Sequence, residues 1–126
     1  MLYDVAEPAG TAGERAVNKA MANAAKFLKL SQTELGEIIG LSSSSASRFV
    51  NGQQSLQKGS KPYQLGLLLV RVFRSLDAIS GGDERYNREW LRAENLALGG
   101  IPLNMMKRPE GLADVLAYLD SRRAIV

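Results

Sequence analysis

The sequence predicts an all-α protein. Apolar residues recur at steps of three and four in at least three stretches, around 16–28, 65–79 and 112–119, which places them on one face of a helix. No segment alternates with a period of two, as a half-buried strand would. Helix start and stop residues mark further helices and the end of the 65–79 stretch: Ser31, Ser42 and Asp83 as starts, Gly40, Gly52 and Gly81-Gly82 as stops.

Residues 1–13 hold Pro8, Gly10 and Gly13 among small side chains and are expected to form a flexible arm. A helix is expected from Glu14. Ala16, Val17, Ala20, Met21, Ala24, Phe27 and Leu28 make its apolar face, with Lys19, Asn23 and Lys26 between them, and its alanines favour helix on their own account.

Two short helices should follow. Ser31 and Glu34 have the spacing of a capping box. Gly36 leaves room for a crossing helix, and Gly40 supplies a left-handed residue to end the first of the pair. Leu41 anchors the turn and Ser42 caps the second helix, which Asn51-Gly52 stops. Leu35, Ile39, Leu41, Ala46 and Phe49 are apolar where two crossing helices would share a core.

From Asn51 to Pro62 there is no apolar period, and Gly52, Gly59 and Pro62 punctuate the run. It is expected to be a linker, with a second module beginning near Tyr63. There Leu65, Leu69, Val72, Leu76 and Ile79 alternate steps of four and three as a heptad-like seam, while Leu67, Leu68, Val70 and Phe73 widen the apolar face. A helix apolar on more than one side is buried on more than one side. In so small a chain the second contact is expected to be another protein, so the seam is expected to serve both self-association and the domain core, with Leu65, Leu69, Val72 and Leu76 as candidate dimerisation residues.

Asp83 should cap a helix reaching about Arg92, in which Tyr86 aligns with Trp90 and Glu84 with Arg88. Tyr86 and Trp90 are expected to pack against Leu112 and Leu116. A turn-rich segment with Gly99-Gly100 comes next, then a short helix from Pro102 or Asn104 that contains Met105 and Met106. Pro109 suits the first turn of a last helix with Leu112, Val115, Leu116 and Leu119 as its stripe. Arg122 and Arg123 close it, favourable to the helix dipole, and residues 124–126 are expected to trail beyond.

The 126 residues include no cysteine and no histidine. Disulfides, thiolate nucleophiles, Cys/His zinc sites and imidazole bases are thereby excluded, and neither a cofactor nor a metal motif is present. Glu84, Glu89 and Glu94 beside Arg85, Arg88 and Arg92 read as solvated helix faces rather than acid–base pairs, so an enzyme is not expected. The balance of 16 Lys+Arg against 13 Asp+Glu, net +3, is mildly basic. Met1–Val5 lack the basic and apolar regions of an export signal, and the apolar run 65–70 is too short for a bilayer. A cytoplasmic location is expected, with no membrane contact.

Residues 31–52 resemble the helix-turn-helix of Cro/repressor-type (Xre) DNA-binding domains, in glycine placement as well as apolar spacing. The resemblance implies that the helix from Ser43 to Asn51 enters the major groove of double-stranded operator DNA. Position by position, Ser43, Ser44 and Arg48 would face base edges, and Gln32 and Ser42 would reach phosphates with Ser47 nearby. Arg48 alone among them can grip guanine with two donors, and the serines specify little. Phosphate neutralisation would draw on Lys26, Lys29, Arg48, Lys58 and Lys61.

Further along, Trp90-Leu91, Leu98-Gly99-Gly100-Ile101-Pro102-Leu103 and Pro109-Glu110-Gly111 before a final helix look like the toxin-binding domain of Xre/MbcA/ParS antitoxins. The resemblance implies a three-part layout: the arm (1–13), a helix-turn-helix domain (14–62), and a small helical dimerisation and toxin-binding domain (63–126). It also implies a type II antitoxin that neutralises a RES-domain toxin, an NAD-depleting protein, by blocking its active site. The same chain would repress its own operon, as a homodimer within a larger toxin–antitoxin complex. Arg122, Arg123, Ile125 and the Val126 carboxylate are the tail residues that would reach the mouth of the toxin's NAD pocket. The alternative is a free-standing phage-like dimeric repressor. A plain dimerisation bundle has no need of Gly99-Gly100-x-Pro102 or Pro109-Glu110-Gly111, and this separates the two readings.

Overall fold

The computed structural model describes residues 10–125, all but the side chain of the last. Most of the expected arm, residues 1–9, lies outside them, as does Val126. The described residues form seven helices: α1 (Ala12–Phe27), α2 (Gln32–Ile39), α3 (Ser43–Val50), α4 (Lys61–Ser80), α5 (Glu84–Arg92), α6 (Pro102–Met105) and α7 (Pro109–Ile125). An isolated bridge between Asn95 and Gly100 is the only strand-like pairing among the described residues.

Helix α1 begins at Ala12 rather than Glu14. The Thr11 hydroxyl accepts from Glu14 N–H at 3.1 Å, and the Glu14 carboxylate accepts from Thr11 N–H at 2.9 Å. This capping box satisfies two orphan donors of the first turn, so residues 10–13 belong to the helix start and not to an arm. Its other end turns through Lys29, whose φ of 56° is unusual for a residue with a Cβ.

Helix α4 is the axis of the fold. Ser60 caps it and Pro62 sits in its first turn, where a missing N–H costs nothing. It packs most extensively against α7 and also against α1, α2 and α5. Gly66 makes the close approach to α1 possible, since a Cβ there would run into the Met21 sulfur.

The expected boundary near residue 62 therefore falls inside a helix that both halves share. One cluster of buried side chains runs from Met21 and Leu28 of α1 through Leu69 and Val72 of α4 to Leu112 and Leu119 of α7. Nor is the 51–62 segment a loose linker. Leu56 is buried, and Asn18 holds its backbone, with Oδ1 accepting from Leu56 N–H at 2.7 Å and Nδ2 donating to its carbonyl at 3.2 Å. Asn18 also donates to the Glu14 carbonyl at 3.0 Å. No buried polar atom of this clamp lacks a partner, the condition under which a buried amide stabilises.

Leu65, Leu69, Val72 and Leu76 are all buried within the chain. The heptad spacing marked a covered face correctly, but α7 and the N-terminal helices cover it, not a second copy. These four side chains are core residues, and the dimerisation role expected of them is withdrawn. The outward face of α4 carries Leu67, Leu68, Val70, Arg71 and Arg74, which with Ala16, Val17 and Ala20 of α1 line an open groove.

Helix α7 buries the expected stripe of Leu112, Val115, Leu116 and Leu119. Its Gly111 is buried where a Cβ would collide with the Met105 carbonyl, which explains the small residue after Pro109-Glu110. The helix continues to Ile125 instead of ending before residue 124.

Candidate functional site

Two surfaces draw attention, one on each half. The first is the pair α2–α3. Ser31 Oγ accepts from Glu34 N–H at 3.0 Å while the Glu34 carboxylate accepts from Ser31 N–H at 2.9 Å. Gly40 then takes φ 84°, and the amides of Gly40 and Leu41 both donate to the Gly36 carbonyl, at 2.8 and 2.9 Å. A Cβ on Gly36 would run into the Leu41 carbonyl, so the turn folds back directly over this glycine. Ser42 Oγ accepts from Ser45 N–H at 3.1 Å and starts α3. Leu35, Ile39, Ala46 and Phe49 are buried, and Leu41 packs against them.

With the apolar sides turned inward, the polar sides face out. Gln32, Ser42, Ser43, Ser44 and Arg48 are exposed and Ser47 is half-buried. The N-terminal turns of both helices thus present exposed hydroxyl groups on one connected surface, tied across the two helices by Thr33 Oγ1 and Ser43 Oγ at 3.0 Å. Thr33 was not among the expected site residues; its partner is ten residues away, a distance at which sequence spacing carries no signal. Arg48 rests on its own chain, donating from Nε to Gln54 Oε1 at 3.2 Å and from Nη2 to Ser45 Oγ at 3.1 Å. Both contacts are exposed, and neither uses Nη1.

The second surface is built on α5 to α7. At its base, fully buried Asn87 donates to Asp77 Oδ1 at 2.9 Å and accepts from Ser80 Oγ at 2.8 Å, locking the α4–α5 corner around Gly81 and Gly82. Arg88 donates to the Phe27 carbonyl at 3.1 Å and Arg92 to the Lys29 carbonyl at 2.9 Å. Two cations thereby meet carbonyl oxygens at the C-terminal end of α1, where the helix dipole is negative. Arg92 also lies 3.7 Å from Glu34, and Lys107 lies 3.1 Å from Glu37. The second half thus touches α2, the first helix of the candidate DNA-facing pair, through two ion pairs.

The helix charges weighed for acid–base work are paired along an exposed face, Arg88 with Glu84 at 3.1 Å and Arg85 with Glu89 at 3.0 Å. The Glu89 hydrogen bond raises the Arg85 pKa above its ordinary value. The two aromatic anchors do not both fill the core. Trp90 is half-buried and stacks on Tyr118, with ring centroids 6.3 Å apart, while Tyr86 remains 45% exposed.

Between α5 and α6 the chain makes a tight turn. Asn95 N–H donates to the Gly100 carbonyl at 2.9 Å, Gly99 N–H returns to the Asn95 carbonyl at 2.8 Å, and Asn95 Oδ1 accepts from Leu98 N–H at 3.0 Å. Gly99 has φ 81°, which favours glycine at this position. Pro102 follows as the first residue of α6.

Of the tail residues, Arg122 and Arg123 are exposed on the last turn of α7. Arg123 Nη1 lies 3.5 Å from Ser75 Oγ, which itself donates to Asp120 at 2.6 Å. The side chain of Ile125 and all of Val126 lie outside the described residues.

Residues 75–124 match the family model of the antitoxin Xre/MbcA/ParS C-terminal toxin-binding domain. The matched segment starts in the second half of α4 and covers α5, the 93–101 turn, α6 and α7 almost to its end. No curated protein matches the chain. No helix among the described residues is long and apolar enough to cross a membrane.

Proposed function

We propose that this chain is a type II antitoxin with a DNA-binding face on α2–α3 and a toxin-binding face on α5–α7. Its partner is a RES-domain toxin that depletes NAD, and the antitoxin neutralises it by covering its active site. The observation that carries this reading is the match of residues 75–124 to an antitoxin toxin-binding domain.

The tail supplies the blocking group. Arg122 and Arg123 lie on the exposed last turn of α7, where they would pair with acidic groups at the rim of the toxin's pocket. Ile125 and Val126 are the residues proposed to fill the space that a dinucleotide phosphate would otherwise occupy. The antitoxin itself performs no chemistry.

The α2–α3 pair serves autorepression. Gln32 and Ser42 meet phosphates at helix N-termini, Ser43, Ser44 and Arg48 face the bases, and Ser47 supports them from the same helix. A single such domain binds DNA weakly and with steep salt dependence, so operator binding uses a homodimer on a two-fold site. Because the heptad seam of α4 is occupied inside the chain, self-association draws on the outward Leu67, Leu68 and Val70 face.

Co-expression with the protein encoded by the adjacent reading frame, followed by sizing with light scattering, tests the proposal. The expected result is a stable complex containing both chains that binds the operon's promoter. A lone dimer of this chain, binding operator tightly with no interacting neighbour, would replace the antitoxin reading with that of a free-standing repressor.

A further inference from the structure

A lone exposed leucine is ordinary on protein surfaces. Leu96 differs from that background in three ways. It is 96% exposed, against 39% for Leu67, so it touches almost nothing of its own chain. It sits on a turn closed by the Asn95–Gly100 bridge and by the Asn95 side chain, so its position is fixed by the backbone. Its neighbour Leu98 turns inward and packs on the core, which anchors the turn while Leu96 points away. Exposed Ala93 and Ala97 flank it, and Glu94 is the sole charge between Arg92 and Lys107.

A side chain held out on a rigid turn loses little conformational freedom when a partner covers it, and such pre-organisation favours binding. The turn lies inside residues 75–124, the segment matched to a toxin-binding domain. We infer that Leu96 is an apolar knob that seats in a socket on the toxin, lined by aliphatic or aromatic side chains. This rests on the antitoxin reading and adds a second contact, on the α5–α6 turn, to the one made by the tail. The knob holds the complex together and the tail closes the active site.

The 126 residues contain no cysteine, so Leu96→Cys gives a unique point for an environment-sensitive bimane label. The probe is the protein encoded by the adjacent reading frame, purified and titrated against the labelled chain and against unlabelled wild type and Leu96→Asp. The expected result is a blue shift of the label on complex formation, and an affinity about tenfold or more weaker for Leu96→Asp at unchanged melting temperature. Equal binding of wild type and Leu96→Asp, with the label still in water, overturns the knob and leaves the antitoxin reading standing. If the wild type itself does not bind, both fail together. If concentrating the labelled chain alone gives the blue shift and Leu96→Asp abolishes its dimer, the socket belongs to a second copy and the inference is wrong.

Discussion

Asn18 grips the backbone of Leu56 from both sides, across 38 positions of sequence, through a 2.7 Å contact to its N–H and a 3.2 Å contact to its carbonyl. The segment between α3 and α4 is thus fastened to α1 by one side chain. Without it, both Leu56 groups are buried and unsatisfied, a loss of about 1–3 kcal/mol for each group. Asn18→Ala is expected to lower unfolding stability by about 2–3 kcal/mol in urea titration. Asn18→Asp should fail to restore it, because the donor to the carbonyl is missing. A neutral Asn18→Ala would mean that the clamp contributes nothing.

Leu76→Ala discriminates core from interface. Leu76 is buried inside the chain, so truncation should cost about 2–5 kcal/mol of stability and leave the oligomeric state of the folded protein unchanged. Dimer dissociation without a change in monomer stability would return the seam to an intermolecular role. Equilibrium denaturation and sedimentation on the same sample decide the matter.

Gly111→Ala places a methyl group against the Met105 carbonyl. Overpacking against backbone costs about 1–3 kcal/mol, and the α6–α7 corner has to open to accept it. Ala113→Gly, at an exposed position of the same helix, should cost about 1 kcal/mol or less by propensity alone. A Gly111→Ala protein no less stable than Ala113→Gly would remove the close approach from the account.

Arg48→Ala should weaken operator binding about tenfold or more and flatten discrimination among sequences, since a bidentate guanine contact is worth about 1–3 kcal/mol. Gln32→Ala, at a residue proposed to meet a phosphate, should weaken binding evenly across sequences. Fluorescence anisotropy with matched and scrambled duplexes separates the two patterns. A uniform loss on Arg48→Ala would make it a phosphate contact.

Removing residues 122–126 should spare the core, because among the described residues Leu119 is the last buried apolar side chain of the α7 stripe. Melting temperature should change by only a few degrees, while neutralisation of the toxin is lost or strongly weakened. Full neutralisation by the truncated chain would exclude the tail as the blocking element.

Where a signal was local, it could be read from the sequence. The Ser31–Glu34 box, the Ser42 and Asp83 caps, and the left-handed Gly40 and Gly81 all act within four residues of themselves. These signals bounded α2, α3 and α5, while the apolar spacings located α1, α4 and α7 and the buried stripes of α4 and α7. Thr11-x-x-Glu14 was equally local but hidden among the small residues taken for an arm. The occupant of a covered face is a different matter: the period of α4 says that Leu65 and Leu76 are buried, not whether α7 or another chain buries them. Asn18, Asn87 and the pairing of Lys107 with Glu37 depend on partners that only the fold brings near. The outward placement of Leu96 against the inward Leu98 is likewise set by the Asn95–Gly100 bridge.

The central claim is neutralisation of an NAD-depleting toxin, and NAD itself is its most direct readout. The measurement is the intracellular NAD concentration after induction of the protein encoded by the adjacent reading frame, with and without this chain, both proteins being verified by immunoblot. The account expects NAD to collapse with the toxin alone and to stay at the uninduced level when this chain is present. An equal collapse in both cultures, with both proteins intact, would contradict it.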